Sequence, residues 1–108
     1  MSFDPEKIYN LVLSSGETWV DCEAAANILE ETKSIVLAEL INQQPAGLGV
    51  AAKENAAKAD PIYRLHITNM VTARKEANRA RVKYKSAEML AELRRSQESS
   101  KRAEMNLR

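Results

Sequence analysis

The chain has 108 residues, 16 Lys and Arg against 15 Asp and Glu, with 44% hydrophobic and 5% aromatic residues. That length and balance fit one small domain and exclude a multi-domain enzyme. Three Gly and three Pro leave few tight turns, and with Ala, Glu, Lys, Arg and Leu dominant the composition points to an all-α fold of long helices.

A lone Cys22 rules out an internal disulfide framework, and with His66 as the single His it falls short of the three or four ligands of a zinc site. The cytoplasm is the expected compartment. No apolar run nears the roughly 20 residues of a membrane span, and the start Met1-Ser2-Phe3-Asp4-Pro5 lacks the basic and apolar regions of a secretory leader. The near-neutral total conceals an asymmetry. Residues 1–61 carry ten acidic and four basic groups, net −6, whereas residues 62–108 carry twelve basic and five acidic groups, net +7. Either the two halves pair as antiparallel helices or the basic half stays free for an anionic partner.

In chain order, Asp4-Pro5-Glu6 is a helix start: Asp4 can accept from free N–H groups, Pro5 suits the first helical position and Glu6 the positive end of the dipole. A short helix over 5–14 follows, with Ile8, Leu11 and Val12 on one face. Ser14-Ser15-Gly16 is expected to end it, Gly16 suiting a left-handed cap. Thr18 with Asp21 resembles a capping box that opens a second, acidic helix over 18–43. Its stripe is Trp19, Cys22, Ala26, Leu29, Val36 and Leu40. Pro45-Ala46-Gly47-Leu48-Gly49 forms a hinge over 44–49, because Pro45 lacks an N–H and forces its predecessor out of the α region. The Ala-rich stretch 50–59 suits a short helix with Val50 as its large apolar anchor. Asp60-Pro61 repeats the start signature, and no Pro or Gly follows it. A long basic helix over 61–105 is predicted, roughly 67 Å long against roughly 37 Å for the acidic helix, so it must overhang its partner or pair with a second copy.

The seam of the long helix is Met70, Ala73, Ala77, Ala80, Tyr84, Ala87 and Ala91, advancing alternately by three and four in heptad fashion. Five of these seven are alanine, which permits close helix approach but buries little area. A second stripe, Val71, Asn78, Val82, Met89 and Leu93, lies about 160° further around. Two stripes imply two neighbours: the acidic helix, and either the short first helix or another subunit. The predicted fold is therefore an all-α helical hairpin with one very long C-terminal helix, dimerising into a bundle or coiled coil through Val71, Val82, Met89 and Leu93.

Arg74, Lys75, Arg79, Arg81, Lys83 and Lys85 place six basic residues in twelve positions, opposed only by Glu76. Arg74, Arg81 and Lys85 form one row, and Lys75, Arg79 and Lys83 another about 140° away, a footprint suited to phosphates. The chain shows no catalytic set. His66 has no partner in the sequence, Cys22 sits on an apolar stripe, and Glu30-Glu31 lacks the Glu-x-x-His pairing of di-iron bundles. Gly47-Leu48-Gly49 is too short for a phosphate-cradling loop. No metal, cofactor or small-molecule substrate is expected.

The segment from Asp60-Pro61-x-Tyr63 through Met70-Val71-x-Ala73-Arg74 and Ala77-Asn78-Arg79-Ala80-Arg81-Val82-x-Tyr84, with Arg94-Arg95 and Arg102-Ala103-Glu104-Met105, resembles small helical proteins encoded by tailed phages and prophages. The resemblance covers a little under half of the chain and brings no catalytic residue with it. It implies an accessory protein of DNA transactions or host takeover, working in the cytoplasm of a bacterial host. The expected role is a non-enzymatic module that binds nucleic acid, or a protein that handles it, through residues 74–85. The alternatives are an inhibitor or adaptor of a host protein such as a defence nuclease, contacting it through Asp21, Glu23, Glu30 and Glu31, and a structural coiled-coil component of a larger particle.

Overall fold

A computed structural model describes residues 4–107; the opening Met1-Ser2-Phe3, part of the segment read above as lacking a leader, lies outside them. Three helices and no strand occur among the described residues: α1 (Pro5–Asn42), α2 (Val50–Ala59) and α3 (Pro61–Asn106). The all-α fold and the long C-terminal helix are thus as the sequence predicts.

Both Asx-Pro starts work as expected. The Glu6 N–H donates to Asp4 Oδ1 at 3.0 Å, and the Ile62 N–H donates to Asp60 Oδ1 at 2.8 Å. Each satisfies one of the donors that a helix start leaves orphaned. At its other end α1 stops before Pro45, and the Gln44 side chain donates to the Leu40 carbonyl at 3.1 Å. α2 is present, but its anchor is not the expected one: Val50 is exposed and Ala57 is buried.

The expected break at Gly16 does not occur. One helix runs from Pro5 to Asn42, so the separate helices over 5–14 and 18–43 are one element. No glycine among the described residues has positive φ, hence Gly16 is not a left-handed cap. The Thr18 hydroxyl, expected to cap a new helix, instead donates back to the Ser14 carbonyl at 2.9 Å. A single interior glycine costs a helix only about 1 kcal/mol, which a long helix with a packed face absorbs.

Backbone contacts divide the described residues into two compact units. One comprises residues 4–21 with 78–107, the other Cys22–Ala77. In the first, Ala80 and Ala87 are buried; in the second, Ala26, Leu40, Ala57 and Ala77 are. No large side chain is fully buried anywhere among the described residues. The predicted seam is the inward face of α3, since Ala77, Ala80 and Ala87 are buried and Met70, Ala73, Tyr84 and Ala91 half-buried. An alanine seam brings backbones close while removing little apolar area from water, so each unit has a thin core.

Candidate interaction surfaces

In the unit of residues 22–77, Arg74 is drawn inward to α1. Its Nε and Nη2 donate to the two carboxylate oxygens of Glu30, each at 2.8 Å. Nη1 donates to Glu23 Oε1 and Nη2 also to Asn27 Oδ1, both at 2.8 Å. Glu23, Asn27 and Glu30 stand four and three residues apart on one helix face, so one planar guanidinium reaches all three. The hydrogen bonds from Arg74 hold the Glu30 carboxyl below the ordinary carboxylate value, with desolvation opposing. Those with Glu30, then Glu23, hold Arg74 further above its already high value. Of the six cations proposed from the sequence as a nucleic-acid face, this one is committed to the acidic helix, and it also occupies Glu30, expected from the sequence to be an interface residue. Glu31 is exposed. His66 has acquired a partner that its sequence neighbourhood does not supply: its Nε2 lies 2.7 Å from the Leu29 carbonyl. It bridges two helices.

The other five cations are exposed. Lys75, Arg81 and Lys83 meet no carboxylate among the described residues. Lys85 stands 3.5 Å from Glu88 and lies over the rings of Trp19 and Tyr84, 5.9 and 5.8 Å from their centroids. The second apolar stripe of α3 is largely exposed. Val71 in one unit and Val82, Met89 and Leu93 in the other are 55% to 66% exposed. Of Ile8, Leu11 and Val12, which offered an intramolecular cover for that stripe, Leu11 lines one cleft with Val82 and is itself exposed, while Ile8 and Val12 are half-buried and lie on the helix face of the packed Trp19.

One surface escaped the sequence reading. In the unit of residues 4–21 and 78–107, an open groove of about 640 Å³ is walled by Tyr9, Leu13, Gly16, Trp19, Val20 and Tyr84, with Glu17 and Asp21 on its margin. Trp19 and Tyr84 stack at 5.4 Å between centroids, tilted by 33°. The Trp19 indole N–H has no hydrogen-bond partner among the described residues. Gly16 opens the floor: a Cβ there would stand 3.2 Å from Tyr84 Cε2. The signal was in the sequence, because Tyr9, Leu13 and Val20 advance by four and seven. It disappears when the helix is broken at Gly16.

No group of three or more His, Cys, Asp or Glu placed to hold a metal ion occurs among the described residues, and none of their helices is long and apolar enough to cross a membrane. No protein-family model, curated protein or solved structure matches the chain.

Proposed function

We propose that the protein is a non-enzymatic helical accessory module of the phage type that binds nucleic acid through the outer face of α3 and self-associates through its apolar stripe, in the cytoplasm of a bacterial host. The observation that carries this reading is the exposure of Lys75, Arg79, Arg81, Lys83 and Lys85 within eleven positions of one helix; of the predicted set, Arg74 is drawn to the acidic helix by the ion pairs described above. A cationic helix left open to solvent favours a polyanion over intramolecular neutralisation. The adaptor reading through the acidic half has less support, since Glu23 and Glu30 already serve Arg74. Self-association is supported by the thin alanine core and the exposed Val82, Met89 and Leu93, because uncovered apolar stripes of this kind are characteristic of protein contacts.

The test is fluorescence anisotropy with labelled duplex DNA across a salt series. Binding by phosphate contacts gives an affinity that falls with salt at a log–log slope of about 0.9 per contact. Absence of binding even at low salt overturns the nucleic-acid part of the reading.

A further inference from the structure

We propose that the outer face of α1 in the 22–77 unit is a docking surface for a basic amphipathic helix of a partner protein. It is a different surface from the cationic face of α3, and the nucleic-acid reading stands or falls separately.

The inner side of this stretch of α1 is accounted for. Ala26 and Leu40 are buried, Cys22, Leu29 and Val36 are half-buried, and Glu23, Asn27 and Glu30 hold Arg74. On the opposite side a second stripe has the same spacing. Ala24, Ile28, Glu31, Ile35, Ala38 and Asn42 advance by four, three, four, three and four, and all six are exposed. Ile28 and Ile35, its two large apolar members, are 60% and 56% exposed. The solvent face of a helix is ordinarily polar, and an alternation of fours and threes is the seam that one helix offers to another. This seam runs roughly 27 Å at 1.5 Å per residue, more than two heptads.

The charge on this face has one sign. Between Cys22 and Asn42 the charged residues are Glu23, Glu30, Glu31, Lys33 and Glu39. Glu31 and Glu39 lie within about 50° of the Ile28–Ile35 line, whereas Lys33, the single cation, lies about 150° away. Glu23 and Glu30 are turned to Arg74. Neither Glu31 nor Glu39 meets a cation among the described residues. Such a face repels a polyanion and attracts positive charge. Glu31 narrows the occupant further. It stands in the seam between the two isoleucines, so a helix laid on them takes its carboxylate out of water, which is costly unless a cation meets it there. The partner helix therefore carries a Lys or Arg between apolar residues seven apart, with a further cation toward Glu39. Of the carboxylates in this unit that the sequence offered to a protein partner, Glu31 alone remains open; Ile28, Ile35 and Glu39 complete the surface.

The probe is a labelled synthetic helix of about three heptads, with Leu along its seam and Lys at one central seam position and on both flanks. A second peptide carries Glu for every Lys, and a third has the composition of the first in scrambled order. Anisotropy with the full chain should show the Lys helix binding about tenfold or more tighter than either control. Glu31→Lys with Glu39→Lys should reverse the preference between the Lys and Glu helices, and Ile28→Ser with Ile35→Ser should weaken the Lys helix about tenfold or more. Both variants keep the helical circular dichroism of the parent, since all four side chains are exposed. Glu6→Lys with Glu17→Lys, acidic residues of α1 in the other unit, should leave binding unchanged. A Lys helix that fails to bind, binds no tighter than its scrambled control, or binds equally after both variants of this face overturns the proposal. So does a parent chain whose sedimenting mass exceeds 12.1 kDa and returns to the monomer with Ile28→Ser and Ile35→Ser, because a second copy then occupies the face. A chain that takes the Lys helix in this way but ignores duplex DNA retires the nucleic-acid reading alone.

Discussion

Gly16 and Tyr84 stand so close that a Cβ added at Gly16 would lie 3.2 Å from Cε2 and 3.4 Å from Cδ2 of the tyrosine ring. The missing side chain lets an aromatic ring of α3 lie against the backbone of α1. Two effects oppose each other in Gly16→Ala: helix propensity gains about 1 kcal/mol, and the ring must shift by a few tenths of an ångström. We expect a change in unfolding free energy within about 1 kcal/mol of zero for Gly16→Ala, and a loss of about 1–3 kcal/mol for Gly16→Val, whose branches cannot be accommodated by so small a shift. Urea unfolding of both variants checks this, and a Val variant as stable as the parent contradicts the close approach.

The alanine seam carries a second expectation. Ala80 is 5% exposed, and its methyl fills the space between helices, so Ala80→Leu should cost about 1–3 kcal/mol by overpacking. Val82→Leu, two residues away on the solvent side, should be nearly neutral to folding. Equal melting temperatures for the two variants would mean that the seam does not pack as described.

The fork of Arg74 on Glu30 links stability to pH. The folded state holds the Glu30 carboxyl below its ordinary value, so the unfolded chain binds more protons in that range and stability rises with pH. The contribution is complete above the ordinary carboxylate value and is lost as pH falls through the lowered folded value. Melting scans of the parent and of Glu30→Gln from neutral to strongly acid pH should therefore converge as the medium becomes acid. A gap that widens toward low pH would have the wrong sign.

His66 gives a simpler test. Its bond to the Leu29 carbonyl crosses from α3 to α1, and that carbonyl also has the Thr32 hydroxyl at 3.3 Å, so removing the imidazole does not leave it orphaned. His66→Ala should cost about 0.5–1.5 kcal/mol from the hydrogen bond, plus whatever packing the ring supplies. Thermal unfolding that leaves this variant unchanged would show that the bridge contributes nothing.

For nucleic-acid binding, Arg74 separates from Arg81 and Lys85 of its own row. Arg81→Ala with Lys85→Ala should flatten the salt slope by up to about two units, since each lost phosphate contact removes roughly one. Arg74→Ala should leave the slope unaltered, because its guanidinium is spent on Glu23, Asn27 and Glu30. A slope that falls with Arg74→Ala and not with the pair would invert the assignment.

Periodicity and terminal chemistry by themselves determined much of this protein. Asp4-Pro5 and Asp60-Pro61 set two helix starts, Pro45 set a stop, and the alternation of threes and fours from Met70 to Ala91 identified the buried side of α3. Each depends on neighbours within one or two turns of the chain, so each is readable locally. The continuity of α1 was decided elsewhere, by a long helix with a packed face that absorbs one interior glycine at small cost, with the Tyr84 ring lying against Gly16. The same holds for Arg74, one of six similar cations in the sequence. Only the placement of Glu23, Asn27 and Glu30 on the facing helix sets it apart. The partner of His66 is a main-chain carbonyl 37 residues away, and the groove around Trp19 needs two helix segments far apart in the chain. Contacts between distant segments depend on which faces meet and how closely the backbones approach, and that is settled by tertiary packing.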